Sequence, residues 1–170
     1  MTTRPGGGPL VVGLGSPDRG DDAVGPAVAR GVAARRPDVA VVEVEEPTAL
    51  LDLWAGHDPV VVVDSVRSGA PTGSVHRLET GQAAPPLAAR SRARSGPGST
   101  HAVGLAEMVE LGRALGRLPQ RLVVVGVEAE HFDHGAPMTP LVAAAVPDAV
   151  LRVCDALTTA RREEAGDVPR

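Results

Sequence analysis

The stretch VVVVDSVRSGAPTGSVHRLE, residues 60–79, carries the clearest mark of the chain's architecture. Four consecutive valines do not alternate with polar residues, so a strand here has both faces covered, as in a largely parallel sheet. The nine residues that follow, SVRSGAPTG at 65–73, are too few for a parallel crossover. The next strand, SVHRLE, therefore returns antiparallel, and its alternation suits a half-exposed edge. Working outward, further strands are expected at 10–14, 39–44 and 122–127, beside those at 60–64 and 74–79. Helices are expected at 22–35, 48–55, 102–115 and 140–157. The first carries Val24, Ala27, Val28 and Val32 at helical spacing. The last opens with Thr139 as N-cap and Pro140 at its first position.

This order implies an α/β three-layer sandwich: a twisted five-stranded, mostly parallel sheet with one antiparallel edge strand and helices on both faces. The 170 residues suit a single domain. Residues 1–8 and 161–170 read as flexible termini, and 80–100 as a long loop climbing the sheet. Arg90, Arg92 and Arg94 make that loop basic; a solvated loop and a lid over an acidic partner are its two readings.

Composition narrows the function. The formal net charge is −4, and a nucleic-acid binder needs a basic face. Aromatics are 1% of the chain, Trp54 and Phe132, which leaves little for stacking on bases. One cysteine, Cys154, excludes an intrachain disulfide. It lies among Val150, Leu151, Val153 and Leu157 and reads as a small core residue. No apolar run reaches membrane-spanning length and no signal peptide is visible, so a cytoplasmic, monomeric protein is expected. There is no G-x-S-x-G elbow and no P-loop lysine. The turn GLGSPDRG has Asp18 where a dinucleotide-binding loop has its last glycine.

Open α/β sheets bind ligands beyond the carboxyl ends of their strands. The topology brings Asp21 and Asp22, Glu45 and Glu46, Asp64, His101, and Glu128, Glu130, His131, Asp133 and His134 to that edge. Two carboxylates and an imidazole from separate segments suit a divalent metal. Bland readings stand beside this one. Asp21 and Asp22 fit the first turn of a helix, favoured by its dipole. His131 and His134 fit a solvated loop. Asp64, directly after four valines, needs a partner.

The segment VVGLGSPDRGDDAVG resembles the opening of the nickel–iron hydrogenase maturation endopeptidases, roughly G-x-G-N-x-x-x-x-D-[DE]-x-x-G. VVVVDSVRSGAPTGSV, STHAVGL, LVVVGVEAE and MTP follow in the same order. The resemblance implies removal of a C-terminal extension from a hydrogenase large-subunit precursor after nickel insertion. It places the metal ligands on Asp22, Asp64 and His101, with Asp22 and Asp64 as catalytic carboxylates. Nickel then comes with the substrate, and another divalent metal can occupy the site in vitro. Departures are Ser16 in place of asparagine and EVEEPTALLDLW, residues 43–54, in place of a glycine-containing segment. They leave a non-catalytic nickel-site-binding maturation partner as the alternative.

Overall fold

The computed structural model describes residues 7–82, 100–164 and 166; the side chains of 100–103 and 163–164 lie outside that description. Five strands, β1 (Leu10–Leu14), β2 (Ala40–Val44), β3 (Val60–Val66), β4 (Val75–Thr80) and β5 (Leu122–Glu128), form one sheet in the order β2-β1-β3-β5-β4. All neighbours are parallel except β4 and β5, which pair antiparallel from Val75 opposite Val127 to Thr80 opposite Leu122. The short return after β3 thus places β4 at an edge, as its alternation requires. The helices are α1 (Val24–Arg35), the single turn α2 (Leu50–Leu53), α3 (Thr100–Ala114) and α4 (Pro140–Glu164). Short 3-10 turns, Gly20–Ala23 and Pro47–Ala49, lead into α1 and α2.

Strand alternation sorts the core into two layers. Val11, Val61, Val63, Val123, Val125 and Val127 face α1 and α4 and pack with Val24, Val28, Val32, Val142 and Val153. Leu10, Val12, Leu14, Val60, Val62, Leu122 and Val124 face the other side, with Leu50, Trp54, Leu105, Val109 and Leu118. The unalternating valines are apolar on both faces because both faces are covered.

Two glycines let α1 lie against β1. A Cβ on Gly25 would stand 2.1 Å from the Leu14 carbonyl oxygen, and one on Gly15, at φ +138, 2.2 Å from that of Asp22. This approach sets the Gly20–Ala23 turn over the carboxyl end of β1. Helix α4 starts at Pro140 as expected and continues through Glu164, seven residues beyond the expected end at 157. Gly7 and Gly8, expected to fray, are tied to the loop before β3: the Gly7 amide donates to the Gly56 carbonyl at 3.0 Å, and His57 Nδ1 is 3.0 Å from the Gly8 carbonyl. The loop expected at 80–100 is in β4 at Thr80, described to Gln82 and helical again at Thr100; residues 83–99, with Arg90, Arg92 and Arg94, lie outside the described residues. Among the described residues no helix is long and apolar enough to cross a membrane.

Candidate active site

The polar residues of the sheet's carboxyl edge divide into a scaffold and a site. Asp21 is scaffold. Its Oδ2 accepts from the amides of Glu130 at 3.0 Å and His131 at 3.1 Å, and its Oδ1 from the Thr139 amide at 2.7 Å and hydroxyl at 2.8 Å. One carboxylate thereby fastens the turn before α1 to the loop after β5 and to the start of α4. Burial pushes the Asp21 carboxyl up, but these four hydrogen bonds outweigh it and hold the carboxyl below its ordinary value. Thr139 stands before Pro140 as expected, with its hydroxyl donating to Asp21.

Glu128, at the end of β5, is a second clamp. It accepts from the Ser68 amide at 2.6 Å, the Ser68 hydroxyl at 2.9 Å and the Gly69 amide at 3.0 Å, with His76 Nε2 at 3.2 Å. Glu45, Glu46, His131, Asp133 and His134 are exposed, so the solvated-loop reading describes the two histidines.

Glu130 is exposed as well, whereas Asp22 and Asp64 are fully buried. Asp22 accepts from the Ser16 amide at 2.8 Å and from the Ser65 hydroxyl at 3.0 Å. Its carboxylate is thus fixed by the loop after β1 and by the residue next to Asp64. Neither oxygen of Asp64 has a hydrogen-bond partner among the described residues. Burial first, and the charge of Asp22 second, push the Asp64 carboxyl well above the ordinary carboxylate range; the Ser65 amide, near it but outside hydrogen-bonding geometry, opposes them. A buried carboxyl with two such oxygens beside a second carboxylate is a donor set that suits a cation or a shared proton.

His101 is the second residue of α3. Asp64 shares strand parity with Val60 and Val62, the face on which Leu105 and Val109 of α3 pack. The first turns of α3 also lie against the chain leaving β2: a Cβ on Gly104 would be 3.0 Å from Cγ of Pro47. The backbone thus brings the start of α3 to the Asp64 side of the carboxyl edge; the His101 side chain lies outside the described residues. Among the described residues no three of His, Cys, Asp and Glu form a metal-binding group.

Sequence reasoning missed three contributors. The Ser65 hydroxyl and the Ser16 amide orient Asp22, and Arg67 stacks on the Phe132 ring with its guanidinium carbon 4.8 Å from the centroid. A polar pair directly after four valines, one residue for each face, was the available signal for Ser65.

An open α/β sheet whose first and third strands deliver two buried, interacting carboxylates to one edge defines an acidic-site protein of the α/β class. The family follows from comparison. The family model for HycI, hydrogenase maturation protease, matches residues 37–156, and the chain belongs to that family. It is 30% identical over 112 residues to the hydrogenase expression/formation protein HoxM of Cupriavidus necator, covering 65% of this chain and 51% of HoxM. The chain thus spans about half the length of that curated relative. Among solved structures it resembles the hydrogenase maturating endopeptidase HybD from Escherichia coli, at 25% identity and a TM-score of 0.70, covering 89% of this chain and 92% of that one. A second endopeptidase structure from Escherichia coli aligns at 26% identity and a TM-score of 0.73, covering 92% and 93%.

Proposed function

We propose that this chain is an endopeptidase that removes the C-terminal extension of a hydrogenase large-subunit precursor in the cytoplasm, and that it reads the nickel already carried by that substrate. The observation that carries the reading is the orphaned, buried Asp64 beside Asp22. Its donor set suits a divalent cation: carboxylate oxygens supply charge, and an imidazole from His101 would extend the choice to nickel or zinc. Asp22, Asp64 and His101 are the residues proposed to hold the substrate's metal. A bound divalent ion supplies Lewis acidity toward a peptide carbonyl or an acidified water.

The chain's own residues do the rest. Ser16 and Ser65 fix Asp22 so that its carboxylate does not turn away from Asp64. Burial and the adjacent Asp22 favour the protonated form of Asp64 when no cation is near. A cation held there would favour the ionised form of both carboxylates, and a carboxylate oxygen not engaged with it could accept a proton from water. Asp22 and Asp64 are the proposed catalytic carboxylates. The enzyme needs no resident metal on this reading, and substrate lacking nickel is a poor ligand.

The test is the mass of the precursor after incubation with the purified protein. Nickel-loaded precursor is expected to lose its C-terminal peptide, and nickel-free precursor to stay intact. Stable binding of nickel-loaded precursor with no loss of mass would favour a non-catalytic maturation partner instead.

A further inference from the structure

Beyond the carboxylate pair, the carboxyl edge carries an arginine held in place with its charge uncompensated. Arg67 directly follows β3 and lies three residues after Asp64, about 10 Å along an extended chain. It is exposed, and its guanidinium stacks on the half-buried ring of Phe132. One of its terminal nitrogens donates to the main-chain carbonyl of Glu130. The Glu130 side chain turns elsewhere and accepts from the Thr72 hydroxyl at 3.0 Å. Among the described residues no carboxylate lies within ion-pair distance of Arg67, as is also so for Arg19, Arg35 and Arg162, whereas Arg77 of β4 and Arg121 before β5 both pair with Glu79.

The support beneath this arginine is rigid. The Glu130 amide is held by Asp21, its carboxylate by Thr72, and its carbonyl by Arg67 itself. The Phe132 platform is one of two aromatic rings in the chain, and the other, Trp54, is buried in the core. Stacking and one hydrogen bond fix the guanidinium plane and leave other N–H groups of its fork unused. A planar fork presented this way matches a carboxylate in two-point contact. Pre-ordering the long side chain lowers the entropy lost on binding.

We infer that Arg67, on its Phe132 platform, is a docking residue for a carboxylate of the precursor, on an acidic side chain close to the cleavage point. The inference rests on the peptidase reading for the identity of its partner. Its test is a binding measurement, so that the two fail separately. Nickel-loaded large-subunit precursor is titrated with wild type, Arg67→Gln and Phe132→Leu at low and high salt, and thermal melts check that each variant is folded. Arg67→Gln is expected to weaken Kd about tenfold at low salt and to flatten its salt dependence, with Phe132→Leu intermediate. Changing the acidic residues flanking the cleavage point to Asn or Gln should remove the difference between wild type and Arg67→Gln. Equal Kd values and equal salt dependence for wild type and Arg67→Gln would overturn the docking role even if the protein cleaves. Uncleaved precursor that still binds wild type tenfold better than Arg67→Gln would sustain docking while the peptidase reading fails.

Discussion

A carboxyl group buried without a hydrogen bond costs the fold stability, and among the described residues neither oxygen of Asp64 has a partner. Its pKa is higher in the folded chain than in the unfolded one, so the folded state binds the extra proton. The sign follows from linkage: its contribution is most favourable below the ordinary value near 3.8 and is lost as pH rises toward the folded value. Asp64→Asn, which cannot ionise, is therefore expected to raise stability at neutral pH and to flatten the fall of stability with rising pH, read by denaturant titration at several pH values. A loss of stability on that substitution would mean that Asp64 has a partner in the resting protein. Asp21 has the opposite sign. Its lowered pKa gives stability that is present above the ordinary carboxylate value and disappears as pH falls through the folded one. Asp21→Ala leaves two amides of the β5 loop and one at the start of α4 without their acceptor. It should cost about 3 kcal/mol, seen as a lowered midpoint in urea. The neighbours Asp21 and Asp22 thus differ in role although they are the same residue type in the same turn.

At the scale of elements, the site depends on how closely α1 approaches β1. Gly25→Ala puts a methyl group where the Leu14 carbonyl stands, with the Val63 carbonyl at 2.9 Å. The helix must move, at a cost of about 3 kcal/mol, and the Gly20–Ala23 turn moves with it. Both the melting temperature and cleavage of the precursor should fall, whereas a variant that melts normally would mean the helix has room. The elements themselves were legible in the chain: unalternating valines are readable without tertiary knowledge, and the nine-residue return after Asp64 forces β4 to be antiparallel. Strand β3 runs on to Val66 because its pairing with β5 continues to Glu128. The end of α4 was not legible, because a polar, charged last turn resembles a tail until its packing is seen. Nor was the division of labour between Asp21 and Asp22. The partners of Asp21 lie 109 to 118 residues away, and spacing along the chain carries no trace of them.

For the whole molecule, the sheet acts as a frame that brings distant segments to one edge. Residue 22 arrives from the turn before α1, residue 64 from the centre of the sheet, and residue 101 from the start of α3. Two buried clamps, Asp21 and Glu128, keep the surrounding loops in place, so the edge is built before any substrate binds. The proposed function has Asp22, Asp64 and His101 work as one site on the substrate's metal. Its most direct test is the processing rate of nickel-loaded precursor by wild type, Asp22→Asn, Asp64→Asn and His101→Ala, each confirmed folded by its melting curve and followed by intact-mass measurement. Wild type is expected to release the C-terminal peptide, and each variant to leave the precursor at full mass. Complete processing by Asp64→Asn or His101→Ala would contradict it.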